Sequence, residues 1–344
     1  MKRIAIIFKA PFEVDIAEQV LPGTGSTEAL IKTKFSAISH GTEMLLYRGL
    51  FPDDVAVDDT ISELQQPLRY PLKYGYSAVG EVIEVGTEVS QDLVGRLVVC
   101  LHPHESCFTA GVDRILPIPE DIDPRDALFL ANMESAVNFL MDGRPIIGEK
   151  AVVLGQGVVG LLTAALLAKF PLAVLLTWDN FALRRKASLS LGARLALDPA
   201  APGSLQKAIE YLEPGASEGS ADLIYELSGN PAAINTAIAI AGFDGRIVVG
   251  SWFGRQRATL ELGGGFHRKR IRLISSQVST VTPALSARWS KHRRFDAAWD
   301  MIRQIRPAQL ITHQIPFVRA KEAFELIEKN PASTIQVVLE YAPR

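Results

Sequence analysis

Along the first third of the chain the apolar positions come in short alternating or β-branched runs, at residues 4–8, 29–37, 78–85, 96–101 and 114–118, separated by Gly, Pro and Asp. That pattern predicts a mostly β module. The period then changes: over residues 125–141, Ala127, Leu128, Leu130, Ala131, Ala136, Val137 and Leu140 recur at helical spacing. Strand-like and helix-like runs alternate after that. Strands are expected at 152–154, 172–176, 222–227, 246–249 and 271–274, with helices after Gly160 and at 184–191 and 232–241. Such alternation implies βαβ crossovers and a doubly wound parallel sheet, an α/β fold. Helices at 294–305 and 321–328 and a strand at 335–339 close the chain, the strand returning to the first module. The expected division is therefore 1–124 with 300–344, and 125–299. One interruption, 48–71, has no clear period, and a loop of that length is expected to be functional or mobile.

The apolar run Val152-Val153-Leu154 breaks into Gly155-Gln156-Gly157-Val158-Val159-Gly160 and then into a helix-forming segment. A strand, a tight Gly-x-Gly-x-x-Gly turn and a helix suit a pyrophosphate. Gly155 permits the turn, Gly157 lets backbone approach the phosphates, and Gly160 lets helix pack on strand. Asp179 stands nineteen residues beyond Gly160, at the end of the next apolar run, where a carboxylate meets the adenosine ribose. Ligand contacts in such a sheet belong at the carboxyl ends of strands, here Gly155, Asp179, Gly229, Gly250 and Ser275. The expected cofactor is a nicotinamide dinucleotide, NAD rather than NADP, because Asp179 repels a 2′-phosphate. Arg184 and Arg185 leave NADP open.

A chain of 344 residues with 48% hydrophobic residues can bury two cores. Its 36 basic and 38 acidic residues leave a net charge of −2, which argues against nucleic acid or an anionic membrane as the main partner. The only cysteines, Cys100 and Cys107, cannot build a disulfide framework, and a cytoplasmic location is expected. The apolar start is cut short by Lys9, Pro11 and Glu13, too soon for a signal peptide. Between His267 and Phe295 lie eight cations, Arg268, Lys269, Arg270, Arg272, Arg288, Lys291, Arg293 and Arg294, and no acid. They form either a solvated basic face or a site for an acidic substrate or a cofactor phosphate.

Ser39-His40-Gly41-Thr42-Glu43, Gly75-Tyr76-Ser77-Ala78-Val79-Gly80-Glu81-Val82, Gly95-Arg96-Leu97-Val98, the Gly155 turn and Leu191-Gly192-Ala193 together resemble the medium-chain dehydrogenase/reductase superfamily. The runs at 38–43 and 70–76 look most like the branch of the bacteriochlorophyllide hydroxyethyl dehydrogenases. The resemblance implies a GroES-like catalytic domain beside a Rossmann domain, a small-molecule substrate, and compatibility with a homodimer. It also implies what is changed. The superfamily's first zinc ligand, a cysteine, falls on His40, and its second, a histidine, on Tyr76. The third falls near Ala131, with Glu134 the nearby alternative. No catalytic zinc is expected, since such a site needs three protein ligands.

Without a metal, the proton of an alcohol must be taken by a side chain. His40 is the expected general acid/base, with Tyr76 donating to the same oxygen and Glu43 orienting His40 or holding a cofactor hydroxyl. The run Leu101-His102-Pro103-His104-Glu105-Ser106-Cys107 offers a second arrangement. There His104 faces the substrate, or His102, His104 and Cys107 rebuild a metal site with His40 and Glu134. Three readings stand: a zinc-independent oxidoreductase acting on an alcohol, carbonyl or enone, with an anionic substrate left open; a catalytically silent NAD(P)H-binding sensor or scaffold; and a zinc dehydrogenase with unusual ligands.

Overall fold

The computed structural model describes residues 2–52 and 68–341, so most of the interruption expected at 48–71 lies outside the described residues. The chain forms two compact units, residues 1–131 with 302–344, and residues 132–301.

In the first unit β1 (Lys2–Ala10) pairs antiparallel with β2 (Glu13–Val20), a hairpin whose second strand the apolar pattern did not announce. Only Val14 of β2 is buried, so the alternation there is too weakly apolar to read as a strand. A seven-stranded sheet is built on β3 (Glu28–Ile38) and β4 (Ala78–Val85), with β5 (Leu97–Cys100) and β7 (Ile115–Pro117) beyond β4 and β6 (Cys107–Gly111) also on β3. The closing strand β15 (Gln336–Glu340) joins this unit, antiparallel to β3 and parallel to β14 (Ile311–Pro316). Between β3 and β4 lies the short helix α1 (Thr42–Tyr47). It packs with α9 (Ala320–Lys329) in a core that includes Phe8, Met44, Leu46 and Phe324.

The helix expected over 125–141 is two. Asp123 caps α2 (Pro124–Ala127) by accepting the Arg125 N–H at 2.7 Å, and the buried Leu128 and Phe129 separate it from α3 (Leu130–Gly143). In the second unit, β8 (Lys150–Leu154), β9 (Val174–Trp178), β10 (Leu195–Leu197), β11 (Ala221–Glu226), β12 (Ala241–Val249) and β13 (Arg272–Ser275) form one sheet. Its order is β10-β9-β8-β11-β12-β13 and every pairing is parallel. Alternate residues of β8 serve two cores, Val152 and Leu154 on one face, Ala151 and Val153 on the other. A sheet covered on both faces explains why these strands read as continuous apolar runs. The helices of this unit are α4 (Val158–Leu167), α5 (Ala182–Ser190), α6 (Ser204–Leu212) and α7 (Ala233–Ile240). The chain leaves it within α8 (Lys291–Ile305). The strand order turns back at β8, where an open parallel sheet offers its ligand crevice.

Candidate functional site

At the carboxyl end of β8 the chain turns through Gly155, whose φ of +87° suits glycine. Its N–H donates to the Trp178 carbonyl at 2.7 Å. A Cβ on Gly160 would lie 2.0 Å from the Gly155 carbonyl oxygen, so this helix position must be glycine for the turn to close against it. Gly157 is different: it begins α4 with no side-chain cap, and a Cβ there would meet nothing within 4 Å. The first N–H groups of the helix, at Val158, Val159 and Gly160, therefore follow an open approach suited to an anion.

Asp179 sits just beyond β9, 8% exposed. Its Oδ2 accepts the Gln156 N–H at 2.7 Å and its Oδ1 the Phe181 N–H at 2.8 Å. The carboxylate thus ties the glycine turn to the start of α5, and each oxygen keeps a lone pair for a ribose hydroxyl. Arg185 donates to the Asp179 and Asn180 carbonyls, both at 2.8 Å, and pairs with Asp198. Arg184 lies over the Phe181 ring at 4.9 Å, and burial lowers its pKa against the opposing charge of Asp179.

Gly229, at φ +72°, donates its N–H to Ser251 Oγ at 3.0 Å. Gly250 is glycine for packing, because a Cβ would lie 2.5 Å from Phe139 and 2.6 Å from Leu227. Ser275 ends β13, opposite Val249. Glu226, not anticipated as a functional residue, is 0% exposed at the end of β11, in register with Leu154. It accepts the Ser228 N–H at 2.8 Å and the Ser228 hydroxyl, fastening the turn that carries Gly229. Burial pushes its carboxyl up against those bonds. An acid inside the apolar run 222–227 was the available signal.

In the first unit, β3 delivers Ser36 and the chain then turns through Ser39 and His40 into α1. Glu43 is 0% exposed; it accepts the Ser39 N–H at 2.8 Å and holds His104 Nε2 at 2.8 Å. His104 Nδ1 meets Ser36 Oγ at 2.7 Å, and Ser36 meets the Tyr341 hydroxyl at 2.9 Å. The tautomer that donates from Nε2 to Glu43 and accepts the Ser36 hydroxyl at Nδ1 satisfies this chain. The ring fits because residue 75 is glycine, where a Cβ would lie 2.8 Å from His104 Cδ2. Tyr76 donates to Ser39 Oγ at 2.6 Å, next to the half-buried His40.

Two of the expected site residues lie inside the unit. His104, expected to face the substrate, is 1% exposed with both ring nitrogens engaged. Glu43, expected to orient His40 or hold a cofactor hydroxyl, has Oε1 on the Ser39 N–H and Oε2 on His104. The other members of that run diverge as well. His102 stacks on Phe108 at 3.7 Å and approaches Glu105 at 3.4 Å, while Cys107 packs with Leu21 and Leu30. Glu134 binds Arg294, accepting from its Nη2 at 2.8 Å; burial raises the Glu134 pKa against the pull of that guanidinium. Among the described residues no three His, Cys, Asp or Glu side chains converge to hold a metal ion. The basic run is also divided: Lys269 pairs with Glu218, Arg272 with Asp244 and Arg294 with Glu134, while Lys291 and Arg293 lie over Phe295 and Trp289.

No protein-family model matches the chain. It is similar to D-guloside 3-dehydrogenase of Escherichia coli K12, 23% identical over 329 residues that span 91% of this chain and 92% of the relative. Its fold is similar to that of a short-chain alcohol dehydrogenase from Escherichia coli CFT073 solved with NADH, at a TM-score of 0.78 and 19% identity, covering 98% of this chain and 99% of the other. A dehydrogenase from Sinorhizobium meliloti 1021, described as zinc-binding and solved with NADP, matches at a TM-score of 0.76 and 19% identity, covering 99% of both chains. The fold is the one these solved dehydrogenases have, a Rossmann-type unit with a GroES-like unit.

Proposed function

We propose that this chain, an oxidoreductase of the medium-chain dehydrogenase/reductase type, is NAD-dependent and interconverts an alcohol and its carbonyl without a catalytic zinc ion. The observation that carries the cofactor reading is the glycine turn, open at Gly157, close-packed at Gly160 and tied to the Asp179 carboxylate. Bound there, the nicotinamide dinucleotide supplies the hydride acceptor. His40 takes the hydroxyl proton of the alcohol as its carbon-bound hydrogen leaves as hydride. Tyr76 and Ser39, already hydrogen-bonded to each other, orient the reacting oxygen. Asp179 disfavours a 2′-phosphate, which selects NAD over NADP.

The zinc-free reading rests on the chemistry of the donors. Tyr76 stands in the place of a histidine, and Glu134 neutralises a buried arginine. The guloside relative makes a secondary alcohol of a sugar the first substrate class to screen. The runs at 38–43 and 70–76 make bacteriochlorophyllide-type hydroxyethyl groups the second.

The test is titration of NADH and NADPH into the wild type and into Gly157→Trp. Because the position is open, the variant should melt with the wild type yet lose measurable NADH binding. Unchanged affinity would move the cofactor elsewhere, and tighter NADPH than NADH binding in the wild type would reverse the role given to Asp179.

A further inference from the structure

Arg294 is the largest fully buried side chain of the described residues, 0% exposed. A guanidinium out of water must find a hydrogen-bond acceptor for nearly every N–H, and its neighbours supply them. Nε and Nη2 donate to Glu134 Oε1 at 3.1 and 2.8 Å, and Nη1 to Asn138 Oδ1 at 2.6 Å. The remaining contacts reach backbone: Nη1 to the Thr280 carbonyl at 3.1 Å and Nη2 to the Val278 carbonyl. Asn138 extends the grip, donating to Ser276 Oγ at 3.1 Å and the Gln277 carbonyl at 3.4 Å, and Asp142 accepts from Ser276 Oγ at 2.5 Å. Glu134, Asn138 and Asp142 are successive i, i+4 positions on one face of α3. Burial raises the Asp142 pKa against the bonds from Ser276 and Asn138.

What this buried row holds is segment 276–280, which leaves β13 at the carboxyl edge of the parallel sheet and is itself partly exposed. The carbonyls of Gln277, Val278 and Thr280 are drawn toward α3 and Arg294. In a trans peptide the following N–H points the opposite way, so those of Val278 and Val281 turn outward. The Ser279 N–H is taken by Gln277 Oε1 at 2.6 Å. The sheet is two mononucleotide-binding halves meeting at β8. Asp179 lies on the β9 half, which takes the adenosine, so the β11-β12-β13 half takes the nicotinamide.

We propose that Arg294, held by Glu134 and Asn138, is a positioning residue that fixes segment 276–280 as the binding edge for the nicotinamide amide. This rests on the dinucleotide reading above. Arg294 touches no cofactor atom; it acts through the peptide groups whose carbonyls it holds. NADH and ADP-ribose, which lacks the nicotinamide, are titrated separately into the wild type, Arg294→Lys and Glu134→Gln, with thermal melts alongside. Each variant is expected to bind NADH about tenfold more weakly, the equivalent of one charge-assisted hydrogen bond, and ADP-ribose as the wild type does. Equal weakening of both ligands, or of neither, overturns the proposal while leaving the dinucleotide reading in place. A wild type that binds neither ligand removes both. If Arg294→Lys does not fold, Asn138→Ser, which loosens Ser276 and Gln277 and keeps a polar side chain, is read by the same comparison.

Discussion

His104 cannot turn toward a reactant without breaking its contacts to Glu43 at 2.8 Å and to Ser36 at 2.7 Å. Its partners, Ser36 of β3 and Glu43 of α1, tie that strand to the helix. His40, half-buried two residues before Thr42 opens that helix, is the proposed partner for the proton of a small alcohol. His40→Ala should lower turnover about a hundredfold, the lower range for a positioned general base, with NADH affinity unchanged as the control for folding. Wild-type turnover in that variant would transfer the proton to the Tyr76 and Ser39 hydroxyls. The same scale separates the glycines. Gly160 and Gly250 are dictated by neighbouring atoms of the protein, whereas Gly157 faces open space and is free to serve a ligand.

At the scale of elements, the loop before β6 is tied to β1 by backbone bonds, the Ile6 N–H to the His104 carbonyl at 3.0 Å and the Ser106 N–H to the Ile4 carbonyl at 2.9 Å, and by a carboxylate between them. Glu105, its side chain fully buried, accepts Arg3 Nη1 at 2.6 Å and also binds Lys73, with His102 at 3.4 Å. Burial alone would raise the Glu105 pKa, but His102 and Lys73 outweigh it and hold the carboxyl below the ordinary glutamate value of 4.5. A folded-state pKa below the unfolded one stabilises above pH 4.5, and the contribution is lost as pH falls through the folded value. Glu105→Gln should therefore cost roughly 3 kcal/mol near neutrality, the scale of a broken buried pair. Denaturant melts of the two proteins should converge as the pH drops below 4.5. A difference that stays constant into acid would mean that the tether acts by packing rather than charge. The hairpin of β1 and β2 and the split between α2 and α3 belong to this scale too. Each is set by neighbours, β2 by pairing along β1 and the break by burial of Leu128 and Phe129.

For the whole molecule, the dehydrogenase fold leaves the metal question to the side chains. Protein purified without a metal-binding tag should contain far less than one zinc per chain by elemental analysis. Stoichiometric zinc would instead require His40 to act with a ligand set other than the ones derived above. The α/β architecture and the glycine turn were legible in the sequence because they depend on local chemistry. A period of hydrophobicity marks each long element, and Gly155, Gly157 and Gly160 sit at fixed offsets between strand and helix. The closing strand was legible as an apolar run expected in the first module, while its pairing with β3 was not. Contacts across long sequence separations were not. Nothing local marks Arg294 of the basic run as buried against Glu134, 160 positions earlier, or directs His104 to Glu43, 61 positions earlier. A charged or polar side chain carries no period that reveals its partner. Only folding brings the two groups together and removes the water that would otherwise satisfy each alone.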